Sequence, residues 1–128
     1  ERLGKEAKEL SKLSINTIAI MSNDVVQYPD DSFENMKLFA KNYNFIFPYL
    51  FDESQEVAKQ YGAVCTPDIF GFNNKKLLCY RGRIDSGVMN SDHKKIDREL
   101  YNAMVKIKND GIGPDKQLNS FGCSIKWR

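Results

Sequence analysis

The sequence predicts an α/β domain organised on a mixed sheet, and three observations carry that expectation. Ile15 to Met21 is β-branched and almost wholly apolar, the pattern of a parallel-sheet strand covered on both faces. Stretches with helical spacing alternate with short apolar runs in the order helix, strand, helix, strand, helix, strand, strand, helix. Asn73-Asn74 separates the last two runs and suits a hairpin turn, which makes that pair antiparallel.

The first helix covers residues 1–13, where Leu3, Ala7 and Leu10 form one apolar stripe. No capping residue precedes it, as in a helix whose first turns lie upstream. After the Ile15–Met21 strand, Ser22-Asn23-Asp24 opens a loop at the strand's carboxyl end, where open α/β sheets place ligands. Tyr28-Pro29-Asp30-Asp31 leads into a second helix, with Asp31 and Glu34 spaced as a capping box. Phe33, Met36, Phe39, Ala40 and Tyr43 are its expected core stripe. Phe47 to Phe51 is a short strand whose Pro48 suits an edge. Asp52 and Gln55 form a second cap-and-N3 pair, before a helix carrying Val57, Ala58 and Tyr61 on one face and ended by Gly62.

The next strand follows Pro67, which has no amide hydrogen to donate and is expected as its first residue. A strand from Leu77 to Ile84 alternates, with Cys79 on the half-buried face as a packing thiol. Arg81 and Arg83 have two readings, cations that hold a thiolate's charge or, as is usual for exposed strand arginines, solvated surface. Ser91 or Asp92 caps the last helix, whose stripe is Ile96, Leu100, Ala103, Met104 and Ile107; His93 belongs to the loop or helix start. Gly111 ends that helix, so the expected organisation is a domain over 1–110 and a tail over 111–128.

A chain of 128 residues has the length of one domain and can bury a real core. A net charge of +2, with lysines scattered among acids, argues against nucleic acid. No apolar run approaches the roughly 20 residues that a membrane span needs. Three cysteines are an odd number, which speaks against a disulfide framework and for a reducing compartment, the cytoplasm, or a thiol used in chemistry. They fall at 65, 79 and 123 without a C-x-x-C pair and with only His93 in support, so zinc is not expected.

The stretch Tyr61-Gly62-Ala63-Val64-Cys65-Thr66-Pro67-Asp68 concentrates the functional signal. X-Pro is the one kind of peptide bond that takes the cis form cheaply, and a thiol lies two residues before this proline. The same stretch, with Asn23-Asp24, Tyr28-Pro29, Phe47-Pro48-Tyr49-Leu50, Tyr80-Arg81-Gly82-Arg83 and Gly122-Cys123-Ser124-Ile125-Lys126-Trp127, resembles the redoxin group. These are thioredoxin-like proteins similar to the alkyl hydroperoxide reductase and thiol-specific antioxidant enzymes.

The resemblance implies a thioredoxin-like fold, a central mixed sheet flanked by helices. It also implies a further strand in the middle of that sheet, before the first helix, leading to a helix whose amino end carries a nucleophilic cysteine. Such a placement stabilises a thiolate. No residue here matches that segment, so no nucleophile is carried over and the native chain is expected to extend upstream. Without that strand the sheet would have a gap and unpaired edges. The implied activity is thiol–disulfide oxidoreduction or thiol-dependent peroxide reduction, with no metal or organic cofactor. Its partners would be protein thiols or disulfides, or a small peroxide, with a thioredoxin-type reductant. Thr66 and Pro67 match the cis-proline loop that presents backbone to substrate, whereas Gly71 departs from the larger apolar residue expected there.

Cys65 has two readings, a resolving or exchanging thiol beside that loop, or a small buried residue beneath it. Cys123 is a weaker candidate, a resolving cysteine on a mobile tail. The alternative to an enzyme is a thioredoxin-like binding or scaffold module without catalysis, or a truncated fragment.

Overall fold

A computed structural model of the chain describes residues 2–87 and 96–128. It divides into two compact units, residues 1–64 with 124–128, and residues 65–123. Among the described residues no helix is long and apolar enough to cross a membrane.

In the first unit, α1 (Arg2–Ser11) buries Ala7 and Leu10, as its stripe predicts. Strand β1 (Ala19–Met21) pairs in parallel with β2 (Tyr49–Phe51), Ala19 opposite Tyr49 and Met21 opposite Phe51. The run Ile15–Met21 is therefore a shorter strand than its composition suggests, and it is not covered on both faces. Met21 is buried, but Ile18 is 61% and Ile20 42% exposed. Alternate side chains leave a strand on opposite faces, and here only one face is packed.

Helix α2 (Phe33–Asn42) is capped by Ser32, whose Oγ accepts from the Asn35 amide at 3.2 Å. The expected Asp31 cap is displaced because Pro29–Asp31 form a 3₁₀ turn, and Asp31 instead accepts from the Asn23 side chain at 3.0 Å. Of the expected core stripe only Met36 is buried; Phe33, Phe39 and Tyr43 stay largely exposed. The aromatic rings pack on one another instead, Phe39 against Tyr43 at 4.6 Å and Phe45 against Phe47 at 4.5 Å.

Helix α3 (Glu56–Tyr61) begins after Gln55, which takes a left-handed conformation with φ 66°. Asp52 reaches past Gln55, and its Oδ2 accepts from the Ala58 amide at 3.0 Å. The N-cap position is Gln55, which makes no side-chain cap bond, so Asp52 binds the helix amides from outside the expected cap-and-N3 pairing. Only Ala58 of the predicted apolar face is buried. Gly62 ends the helix with φ 71°.

The end of the chain returns to this unit as a strap. Gln55, 2% exposed, donates from Nε2 to the Ser22 and Lys126 carbonyls at 2.8 and 2.9 Å, while its Oε1 accepts from the Arg128 amide at 3.1 Å. Asn23 Oδ1 accepts from Lys126 N at 2.9 Å, Asp24 N donates to Lys126 O at 2.8 Å, and Ile125 is buried. The Ser22-Asn23-Asp24 loop, expected as a ligand position, is thus occupied by the chain's own last residues.

The second unit contains β3 (Cys65–Thr66), β4 (Ile69–Phe72), β5 (Leu78–Gly82) and α4 (Glu99–Asp110). Pro67 is not itself in a strand; β4 starts two residues later. Strands β4 and β5 are antiparallel, Ile69 opposite Gly82 and Gly71 opposite Tyr80. Their turn uses Asn73 as a hub, its Oδ1 accepting from Lys75 N and Leu77 N at 2.9 and 3.0 Å. Lys76, not an asparagine, takes the positive φ, 65°.

Helix α4 packs on β5 and buries Leu100, Ala103, Met104 and Ile107. Ile96, expected in that helix, precedes it, and Gly111 ends it with φ 76°. The expected caps Ser91 and Asp92, with His93, lie outside the described residues. Gly71 has a packing reason: a Cβ there would come within 2.6 Å of Met104 Sδ and 3.1 Å of Tyr80 Cβ. Residues 117–118 run along β5, where Gln117 accepts from Arg81 N at 2.9 Å and Leu118 O accepts from Arg83 N at 3.2 Å. The last strand, β6, is Cys123–Ser124.

Candidate functional site

The second unit gathers the side chains of Cys65, Thr66, Asp68, Arg81 and Ser120 at the proline loop. The Thr66–Pro67 peptide bond is cis. Cys65 is half-buried, and its thiol points to the Pro67 carbonyl at 3.7 Å. Thr66 Oγ1 donates to the Cys123 carbonyl at 3.4 Å. Gly122 has to be a glycine for this approach, because a Cβ would run into the Thr66 carbonyl oxygen.

Asp68 follows the proline with its side chain only 4% exposed. Its Oδ2 meets Arg81 Nη2 of β5 at 3.4 Å, and its Oδ1 accepts from Ser120 Oγ at 2.9 Å. The Ser120 hydroxyl also lies 2.6 Å from the Gly82 carbonyl. Arg81 stands 5.0 Å from the Phe70 ring centroid, which holds the guanidinium across the hairpin.

These groups set the state of the thiol. Burial pushes the Cys65 thiol up, and the Asp68 charge pushes it further. A hydrogen bond from Ser120 and the Arg81 cation act the other way without cancelling the rise. Cys65 is therefore a thiol at neutral pH.

The other two cysteines are differently placed. Cys79 Sγ lies 3.3 Å from Leu77 O and 3.5 Å from Gly111 O, a packing thiol at the end of α4. Cys123 is exposed, and it is its carbonyl that touches the proline loop. The residues after it are strapped down, so the expected mobile tail is anchored from Ile125 onward. Arg81 and Arg83 are not free surface charges: Arg81 pairs with Asp68, and Arg83 holds both Glu99 oxygens at 2.6 Å. Sequence reasoning missed Asp68 and Ser120. Asp68 carried a signal, its place beside Thr66-Pro67; Ser120 carried none.

Among the described residues no group of three or more His, Cys, Asp or Glu is placed to hold a metal ion. The first unit has an open groove of about 580 Å³ along Ile20, Leu50, Asp52, Val57 and Arg128, with no thiol in its lining.

Comparison with known proteins places this geometry. The architecture is that of thioredoxin-like α/β proteins. An uncharacterized conserved protein from Geobacillus kaustophilus superimposes with a TM-score of 0.87 at 42% identity, over 98% of this chain and 67% of that one. A hypothetical protein from Sinorhizobium meliloti 1021 gives a TM-score of 0.87 at 35% identity, over 98% and 69%. The chain thus spans about two thirds of the length of both. A search of curated proteins gives no match. The sequence profile of the AhpC/TSA family matches residues 1–84, which include Cys65, Pro67, Asp68 and Arg81 but not Ser120 or Cys123. The chain belongs to the AhpC/TSA family, whose members are in general thiol peroxidases and oxidoreductases.

Proposed function

We propose that this chain acts in thiol–disulfide exchange, with Cys65 as the resolving or exchanging thiol and the Thr66–Pro67 backbone as the surface along which a disulfide partner lies. The observation that carries this reading is one half-buried thiol two residues before Pro67, its sulfur 3.7 Å from the Pro67 carbonyl. The chemistry at this sulfur favours exchange over peroxide reduction. Peroxide reduction consumes a thiolate, and the surroundings of Cys65 hold it as a thiol. In disulfide exchange a thiolate's nucleophilicity rises with its pKa, which offsets part of its scarcity. Cys65 loses its proton to water and attacks one sulfur of a disulfide. A Cys65–S–S bond forms, the partner's S–S bond breaks, and the departing thiolate takes up a proton. Three free thiols are consistent with work in a reducing compartment such as the cytoplasm.

The test is reaction of the full chain with oxidised glutathione, followed by peptide mapping of the mixed disulfides. Glutathione should be captured on Cys65, and Cys65→Ser should slow total exchange by ~10-fold, the scale set by thiol accessibility and pKa. Exchange at the wild-type rate in Cys65→Ser, with adducts only on Cys123, would overturn the proposal.

A further inference from the structure

Residues 121–123 lie against the backbone that the exchange reading assigns to a partner. Gly122 rests so close to the Thr66 peptide that a Cβ there would run into the Thr66 carbonyl oxygen, with Pro67 Cδ 3.5 Å away. Next to it the Cys123 carbonyl accepts from Thr66 Oγ1 at 3.4 Å. Two chains cannot share this volume, so an extended partner meets these residues before it meets Thr66 and Pro67.

The segment is fixed at its start and weakly held beyond it. Ser120 Oγ lies 2.9 Å from Asp68 Oδ1 and 2.6 Å from the Gly82 carbonyl, which ties the start to β5 and the loop before β4. After that Phe121 is 85% exposed, and Gly122 and Cys123 are exposed too. The bond from Thr66 is longer than the usual O–H···O range. A segment that buries no apolar side chain opens at a low free-energy cost.

We propose that residues 121–123 are a lid, an autoinhibitory contact that fills the partner's place on the Thr66–Pro67 backbone and lifts to admit an extended polypeptide. The lid rests on the reading of that backbone as the partner surface. It selects by size: a peptide disulfide has to wait for the lid to open, whereas a small disulfide that makes no use of the backbone does not.

The test opens the lid in the full chain with two variants. Gly122→Ala sets a methyl against the Thr66 carbonyl and drives the segment off, and Ser120→Ala removes the anchor at its start. The first readout involves no redox chemistry. A fluorescent synthetic peptide copying residues 119–125, with serine in place of Cys123, is titrated against each protein. It keeps the glycine and the serine that the variants lack, so it can take the vacated place. Gly122→Ala should bind it ~10-fold and Ser120→Ala ~5-fold more tightly than wild type, the scale of one or two lost contacts. The second readout is the rate at which Cys65 exchanges with the disulfide-linked dimer of that peptide, its cysteine restored, and with hydroxyethyl disulfide. The peptide rate should rise with the affinity, while the small-disulfide rate stays within about twofold. Slow alkylation of half-buried Cys79 reports whether each variant is folded; should Gly122→Ala fail that control, Ser120→Ala still decides the matter. Peptide binding no tighter than to wild type, or equal rises for the two disulfides, would overturn the proposal. Tighter peptide binding with no glutathione captured on Cys65 would remove the exchange reading and leave the lid standing.

Discussion

Asp52 of the first unit and the Asp68 side chain of the second are both buried, and the two are satisfied in different ways. Asp52 in the first unit accepts from the Ala58 amide at 3.0 Å and the Ser22 hydroxyl at 2.9 Å. Burial pushes its carboxyl up, but the Ala58, Val57 and Gln55 amides and Ser22 outweigh that and hold it below the usual carboxylate range. Asp68 in the second unit has an arginine at 3.4 Å and a hydroxyl that also reaches the Gly82 carbonyl. Fixed amide donors saturate Asp52, and nothing is left over for chemistry. At Asp68 the side chains of Arg81 and Ser120, which can rotate, approach the two carboxylate oxygens. The contrast teaches that burial alone does not say how a carboxylate is held, by fixed backbone amides in one case and by side chains in the other.

The comparison breaks first at Asp52. Asp52→Ala leaves the Ala58 amide and Ser22 hydroxyl without their acceptor and should cost about 3 kcal/mol in urea unfolding at neutral pH, from a lost cap and a lost buried bond. Its folded-state pKa lies below the unfolded value of about 3.9. That contribution is therefore complete above about pH 4 and is lost as pH falls through the folded value. The gap between wild type and Asp52→Ala should narrow in acid; a gap that stays constant would deny the carboxylate its role.

A smaller effect separates the strap from its backbone. Gln55→Asn keeps a residue that tolerates the left-handed φ of 66° but is one methylene too short to hold Lys126 and Arg128. It should cost about 1–2 kcal/mol and raise amide exchange at residues 125–128. Unchanged exchange there would mean that Asn23 and Asp24 suffice.

The smallest effect concerns Tyr80, buried under α4 with its hydroxyl donating to the Arg83 carbonyl. Burial first, then the Glu99 charge, pushes it up to about 12. Its unfolded value is about 10. The stability it contributes is full below about pH 10 and fades as pH rises toward 12. Tyr80→Phe should lose about 1 kcal/mol at neutral pH and flatten that alkaline decline, as measured by urea unfolding across the range. An equally steep decline in Tyr80→Phe would assign it to another group.

Much of the second unit was legible in its residues. Gly111 ends α4, and Leu100, Ala103, Met104 and Ile107 face inward at helical spacing. In the first unit the same reasoning went wrong at Ile18 and Ile20, and at Phe33, Phe39 and Tyr43, all largely exposed. Periodicity reports which side chains share a face, and burial depends on what lies against it. Capping errors were local: a 3₁₀ turn at Pro29–Asp31 moved the cap by one residue to Ser32.

The sequence by itself determined the order of elements apart from the short strands β3 and β6, the glycine stops at Gly62 and Gly111, and the place of Cys65 beside Thr66-Pro67. Those features are decided within a few residues by backbone sterics and short-range hydrogen bonds. Only the tertiary structure decided that Ser120 meets Asp68 across 52 positions and that Gln55 holds Lys126 across 71. A single hydroxyl or amide has no periodic signature, and its partner is chosen by where the folded backbone carries it.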